Sequence, residues 1–501
     1  NFYMTLIFLI LLILINNCNC LKIPVLKFGG SSLAGIDRLN NVCNIVSNVL
    51  DEGKIPIVVL SAMGDTTNKL LKASELSLEN NDIIESKKII YDVKSSHYKV
   101  LHYVLNHSNM NLDKDHMNEF NNEKEKLKIE IDEYFTDIIN IISGINILNE
   151  LSPGIKDQIS SYGERLSVRL FSFLLNNMYL NTRRNNILKA KNFDSWDIGL
   201  KTYGNFGDSK FMEDDIIKNN ICNIIESEIV NNKIPIVTGF ICKNSEGKIT
   251  TVGRGGSDLT ATFIGECCKS SEIQVWKDVN GLMTADPKLV NNAKEVSKLS
   301  YEQASELAYF GAKILHPISM LPAKKSSIPV IIKNSYNISN PGTIISNQVN
   351  DDNDKKYIVA MAAKKDITLI DIVSTRMMEQ AGFLSKVFVI FKEEDISIDV
   401  IATSEISISL TLDSRNNISD KAINKLKEIS CVYVKKDYSI LSFISNIEKS
   451  NEVLYRVLGI LSENNIKVEM ISQGASKVNI SIVVRSSEVN RALNLIHNSF
   501  F

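Results

Sequence analysis

Short β-rich runs without polar alternation punctuate the first two thirds of this chain: KIPVLKF, IPIVVLSA, IPIVTGF, IQVWKDV and IPVIIKNSY. Strands that are apolar on both faces need cover on both faces, which is the habit of parallel sheets flanked by helices. The segments between them have helical spacing. IDRLNNVCNIVSNVLDEG places Leu39, Val42, Ile45, Val46, Val49 and Leu50 on one face and stops at Gly53. This strand–helix–strand order implies a parallel-rich α/β sheet with helices on both faces, continuing to about Ile345. YEQASELAYFGAKILHP reads as a helix closing on Gly311 and Pro317, and a capped helix is expected around Ser160 to Leu175.

At 501 residues the chain exceeds what one core fills, so two or three domains are expected. NQVNDDNDKK is the best linker. Beyond it, VFVIFKEEDISIDVIA (387–402) matches VLGILSENNIKVEMIS (457–472) at an offset of 70 residues. Each copy reads as an amphipathic helix, a turn and a strand, then an alternating strand, so two small α+β domains with antiparallel sheets are expected. The boundaries follow as a hydrophobic leader over 1–20, an α/β domain over 21–346 and repeat domains over 357–440 and 441–501. A charged helical insertion over about 75–148 is expected to be solvated.

A net charge of -2 supplies no field for nucleic acid. The eight cysteines include no second pair at zinc spacing beside Cys267-Cys268, and His97, His102 and His107 do not share a helical face, so no metal site is expected and the thiols are read as reduced and buried. TLIFLILLILI (5–15) falls short of the roughly 20 residues of a membrane span and suits the apolar region of a targeting signal, with an untranslated extension as the other reading. No stable span is expected once such a leader is removed.

The chemistry-bearing residues gather at glycine turns. Lys27 precedes Gly29-Gly30 at the end of the first strand, where an ammonium and backbone N–H groups can meet phosphate. GRGGSD sets Arg254, Ser257 and Asp258 among glycines; Arg254 offers a fork for a carboxylate, and Asp258 a charge for a cation or an N-cap. On the residues alone, Glu164 reads as a dipole-favoured glutamate in a first helical turn. Asp278 stands at the carboxyl edge of the sheet, where open α/β folds bind ligands. Lys313 at a helix end suits the dipole, and Trp276, Tyr309 and Phe310 read as core.

KFGGSSLAG, SAMGDTTNKLL, SYGERLS, TVGRGGSDLTA, VWKDVNGLMTADPK and ELAYFGAKILHP resemble, in order and spacing, the signature segments of aspartokinases. DIVSTRMMEQAGFLSKVF and DVIATSEISISLTLD resemble their first ACT domain, and WKDV and VIIKNSY are similar to the plant monofunctional, lysine-sensitive branch. The resemblance implies an amino-acid-kinase fold followed by two ferredoxin-like ACT domains. It implies transfer of phosphate from ATP, with Mg²⁺, to L-aspartate, the first step of lysine, threonine and methionine biosynthesis.

By motif, Lys27, Phe28, Gly29 and Gly30 would hold phosphates, and Lys277, Asp278, Met283, Lys288, Lys313 and Ile314 would surround the nucleotide. Ser61, Thr67, Phe240 and Ser257 would line the substrate crevice, Glu164 would meet the substrate ammonium, Arg254 its α-carboxylate, and Asp258 would organise the centre. Met377, Ser397, Asp399 and Ser404 would contact an allosteric amino acid, lysine first and S-adenosylmethionine second, in a homodimer or larger assembly. Met283 and Lys288 replace the family's Tyr and Arg, which would weaken nucleotide contacts. A kinase for another acidic amino acid such as glutamate, and a catalytically dead ACT sensor, are the competing readings. A plastid or other organelle is expected if the leader is a targeting signal, and the cytoplasm otherwise.

Overall fold

A computed structural model describes residues 23–79, 83–107, 114–180, 188–312, 315–347, 357–373, 382–413, 418–474 and 476–501. The leader, residues 348–356 of the linker, Lys313, Ile314 and Met377 lie outside them. The described chain forms two compact units, one from residues up to 280 with 318–347, the other from 281–317 with residues from 348 onward.

In the first unit, β1 (Pro24–Phe28), α1 (Ile36–Asp51) and β2 (Ile57–Leu60) form the expected βαβ start. The helices α2 (Thr66–Glu79), α3 (Ile83–His107), α4 (Lys114–Leu148) and α5 (Pro153–Leu175) follow. Next come β3 (Lys189–Phe193), the hairpin β4 (Thr202–Asn205) and β5 (Asp208–Phe211), α6 (Asp215–Val230) and β6 (Lys233–Thr238). A second hairpin, β7 (Ile241–Lys243) and β8 (Ile249–Thr251), leads into α7 (Gly256–Cys267) and β9 (Glu272–Lys277).

After Gly281–Pro317, which carries β10 (Leu282–Met283), β11 (Glu295–Val296), β12 (Lys298–Ser300) and α8 (Tyr301–Tyr309), the chain continues through α9 (Pro317–Lys325), β13 (Val330–Asn334) and β14 (Thr343–Ser346). Within the first unit the sheet order is β14-β13-β9-β1-β2-β6-β3, parallel except for β14. Every residue of β1 and β2 is buried, as strands covered on both faces require.

The insertion differs from the solvated layer expected. Ile131, Phe135, Ile138, Ile142 and Ile145 on α4 recur at steps of three and four and are buried in one cluster with Ile90, Val93 and Val104 of α3 and Leu166, Leu170 and Phe173 of α5. The charges of EKEKLKIEIDEY occupy the other face and mask this stripe in the sequence. His97 is buried there, its Nδ1 2.8 Å from the Val93 carbonyl oxygen, and burial lowers its pKa to about 4. His102 and His107 are exposed. No group of three or more His, Cys, Asp or Glu suited to a metal occurs among the described residues.

The second unit is built on β15 (Ile358–Val373), α10 (Phe383–Glu393), β16 (Ile401–Thr403), β17 (Ser407–Leu412), α11 (Asp420–Ile429) and β18 (Cys431–Ser445). It is completed by α12 (Ser450–Glu463), β19 (Met470–Ser472), β20 (Asn479–Arg485) and α13 (Val489–Phe500). The repeat is present, but the copies share one six-stranded antiparallel sheet, ordered β16-β17-β15-β18-β20-β19.

β15 and β18 pair along their length, so the start of β15 belongs with the second copy and its end with the first. The polar stretch Lys364–Asp366 marks the junction; a register shift falls there, and Asp366 has φ +58°. Two separate cores result, one around Ile370, Val387 and Leu410, the other around Phe443, Val457 and Ile482. Ala285 and Val290 join the latter, and Thr284 Oγ1 meets His497 Nε2 at 2.9 Å, which explains why residues 281–317 group with this unit. Tyr309 is 46% exposed rather than core, whereas Trp276 and Phe310 are buried as expected.

If the helical layer is part of the core, Phe135→Ala lowers the unfolding free energy by about 3–5 kcal/mol, measured by urea denaturation. Ile147→Ala, at an exposed position of the same helix, changes it by less than about 0.5 kcal/mol. Equal effects would contradict the packing.

Candidate active site

β1 and β9 are parallel neighbours in the sheet, with Lys27 opposite Val275, so Lys27 and Lys277, two residues further along β9, both lie near the carboxyl ends. The first turn of α7 lies over those ends and supplies Asp258. Lys27 Nζ stands 2.5 Å from Asp258 Oδ1, and Lys277 Nζ stands 3.7 Å from Oδ2. Asp258 is therefore not the N-cap: that position is Gly255, in the left-handed region at φ +72°, which aims the helix start at the sheet. Burial alone would raise the Asp258 carboxyl; Lys27 and Lys277 outweigh it and hold the pKa below the usual carboxylate range. Burial lowers Lys277, only partly offset by Asp258.

Glu164 comes from the middle of α5, not from a first turn. The helix begins at Pro153, capped by the Ser152 hydroxyl accepting from the Ile155 N–H. The macrodipole thus does not account for Glu164. Its Oε1 accepts from Ala62 N–H at 3.2 Å, while Oε2 has no partner, though buried. Burial pushes its pKa up to about 8. Thr67 Oγ1 is likewise buried without a partner. Gly163 permits this close approach, since a Cβ there would meet Thr67 Oγ1 at 2.7 Å and Ala62 Cβ at 2.8 Å. Orphaned buried polar atoms facing a cavity mark a place for a ligand.

A cavity of about 320 Å³ is lined by Lys27, Gly30, Ser61, Thr67, Glu164, Phe240, Arg254, Ser257 and Asp258, together with Ala62 and the glycines 64, 253, 255 and 256. The structure thus brings these expected residues together. Ser61 Oγ and Ser257 Oγ are 3.0 Å apart. Phe240 holds φ +67°, rare for a residue with a side chain, pinned by its N–H donating to Thr260 Oγ1 and its carbonyl accepting from Val252. Arg254 is exposed and forms no hydrogen bond or ion pair among the described residues, so its guanidinium is available.

Other expected residues are not among those lining this cavity. Phe28 is buried, stacked on Trp276 with ring centroids 6.1 Å apart, so its side chain faces core. Gly29 lies beside the Lys27 ammonium, and Asp278 is exposed just beyond β9. Met283 and exposed Lys288 belong to the second unit, the latter donating its N–H to Asp286.

Asp399 and Ser404 flank β16. Asp399 is already paired with Lys364 at 2.6 Å and accepts from the Tyr309 hydroxyl at 3.2 Å. Ser404 bonds Ser407, and Ser397 is exposed. Asp157, a buried carboxylate seven residues before Glu164, has no signal in the sequence beyond that spacing on one helix.

Glu164 titrates with a definite sign. Its folded pKa exceeds the ordinary 4.5, so its stability contribution is complete below about pH 4.5 and is lost as pH rises through about 8. Ligand-free Glu164→Gln, which does not titrate, should gain thermal stability relative to the unmodified protein between pH 5 and 9, by calorimetry. A constant difference over that range would contradict a buried, raised carboxyl.

A model of the Amino acid kinase family matches residues 22–334, and an ACT domain model matches 370–429 and 445–500. The chain is 38% identical to aspartokinase 2, chloroplastic, of Arabidopsis thaliana, over 95% of this chain and 84% of the relative. It resembles the crystal structure of E. coli aspartokinase III in complex with aspartate and ADP (R-state), with a TM-score of 0.76, 28% identity and coverage of 96% and 100% of the two chains. The same enzyme in complex with lysine and aspartate (T-state) gives 0.74 and 29%, with the same coverage. The chain belongs to the aspartokinases, amino-acid kinases that carry a C-terminal pair of ACT domains.

Proposed function

We propose that this chain phosphorylates the side-chain carboxylate of L-aspartate at the expense of ATP, giving 4-phospho-L-aspartate and ADP. The observation that carries the reading is the convergence of Lys27, Glu164, Arg254, Ser257 and Asp258 on one cavity. A carboxylate oxygen attacks the γ-phosphorus, a new O–P bond forms, and the bond to the β-phosphate oxygen breaks with its electron pair leaving on ADP. The nucleophile is already ionised at pH 7, so no base is needed, and catalysis rests on alignment and charge neutralisation.

Lys27 neutralises charge on the transferring group, and Lys277 adds a second cation beside it. Gly30 lets the turn after β1 pack against residues 62–64, since a Cβ there would meet the Gly64 carbonyl oxygen at 2.7 Å and the Ala62 carbonyl oxygen at 3.0 Å. Glu164 becomes ionised when the substrate ammonium arrives, and Arg254 takes the α-carboxylate. The cavity's carboxylates, Glu164 and Asp258, are few for a dedicated metal cage, which suits Mg²⁺ arriving on the nucleotide phosphates; bound there, the ion supplies further neutralisation of phosphate charge. Discrimination against glutamate then rests on cavity shape, worth about 1–3 kcal/mol for the extra methylene.

Lysine is the effector we favour, because the E. coli relative in its T-state is a complex with lysine and the repeat unit carries Ser397, Asp399 and Ser404 together. It would act by shifting an equilibrium between quaternary states of a homodimer or larger assembly. Coupled ADP release with Mg-ATP should depend on aspartate and fall as lysine is added, with Lys27→Ala reducing kcat by about 10²–10³-fold. Turnover of glutamate in place of aspartate would move the assignment to another acidic amino acid. Turnover indifferent to lysine would direct the search to S-adenosylmethionine, and none with either substrate would leave an ACT sensor.

The Arabidopsis relative is named chloroplastic, and we assign this chain to a plastid or other organelle. No described helix is long and apolar enough to cross a membrane. A fluorescent fusion of the whole chain should mark an organelle; confinement to the secretory route would contradict the assignment.

A further inference from the structure

Asp157 and Glu164 lie on the same face of α5, seven residues and two turns apart, about 10.5 Å along the axis. Asp157 is 3% exposed and forms no salt bridge among the described residues. A buried carboxylate without a counter-ion is costly unless hydrogen bonds replace its hydration. Here three do: Thr251 N–H at 2.9 Å and Gly207 N–H at 2.9 Å donate to Oδ2, and Thr251 Oγ1 donates to Oδ1 at 2.8 Å. The Thr251 carbonyl in turn accepts from Ser209 Oγ at 2.8 Å. Every polar atom of Thr251 is thereby held, by α5 on one side and the β4–β5 hairpin on the other.

Thr251 ends β8 and lies three residues before Arg254. The short path between them is also fixed. Val252 N–H donates to the Phe240 carbonyl, and Gly253, at φ +70°, packs so close to the hairpin that a Cβ would meet Asp208 Oδ1 at 2.7 Å. The guanidinium itself forms no hydrogen bond or ion pair among the described residues, so its position is inherited from this arm.

We propose that Asp157 is a positioning residue: it fixes the arm bearing Arg254 at a set distance from Glu164, so that one helix gauges the separation of the ammonium and α-carboxylate subsites. The cavity then selects a free α-amino acid with both groups unmodified. This rests on the roles given to Glu164 and Arg254 above.

Asp157→Asn keeps the shape but loses one charged acceptor. Its KM for aspartate should rise about tenfold, with KM for ATP and kcat within about twofold. In an Arg254→Ala background the same change should add nothing to KM for aspartate, because the arm no longer carries the fork. Thr251→Val, which removes only the hydroxyl donor, should give a smaller rise in the same direction and serves if Asp157→Asn does not fold. An equal rise in both KM values, a fall in kcat alone, or additivity in the double variant would overturn the assignment. Loss of aspartate turnover in the unmodified enzyme would sink the reading of the site itself, whereas normal turnover with an unchanged aspartate KM in Asp157→Asn would sink this inference alone.

Discussion

One carboxylate shared by two ammonium groups holds the centre of the first unit together. Asp258 sits between Lys27 and Lys277, all three largely buried, where β1, β9 and the first turn of α7 meet. Breaking a buried pair by deleting one partner typically costs about 3–5 kcal/mol, because the other charge is left uncompensated. Here deletion of Asp258 would leave two cations facing each other. The arrangement also leaves an uncancelled positive charge, which is costly in a cavity without ligand and useful once phosphate enters. Glu164 complements it, since burial keeps its carboxyl protonated near neutral pH until a substrate cation arrives.

The parts legible in the sequence were those set by local pattern. Fully apolar strands, the glycine turns and the order of α and β segments determine β1, β2, β6, β9 and β13, and Lys27, Arg254 and Asp258 stand out because they sit beside glycines at strand and helix ends. Less legible were features that depend on distant partners. Asp157 bonds Thr251 and Gly207, 94 and 50 residues away, so nothing near it in the chain announces a clamp. Glu164 was misplaced at a helix start because SSYGE is polar, whereas the start is set by Ser152-Pro153 and the polar run faces a cavity. In α4 the abundance of charge hid a regular apolar stripe.

The second unit makes the same point at the level of topology. The repeat at 387–402 and 457–472 is visible, but the pairing of Ile358–Lys364 with Ile440–Ser445, which welds both copies into one sheet, is not local. At that weld Lys364 bonds Asp399 and Asp413, and its ammonium lies 5.4 Å from the Tyr309 ring centroid. A carboxylate considered for effector binding is thus already paired from within.

The identity of the phosphorylated group defines the reaction of this cavity. An acyl phosphate reacts with hydroxylamine, whereas phosphate esters do not, so trapping with hydroxylamine during turnover of Mg-ATP and L-aspartate reads the product's chemistry rather than nucleotide loss. Stoichiometric aspartate β-hydroxamate with ADP is the predicted result. ADP release without hydroxamate would show that the cavity cleaves ATP without transferring phosphate to the carboxylate, and would contradict the account.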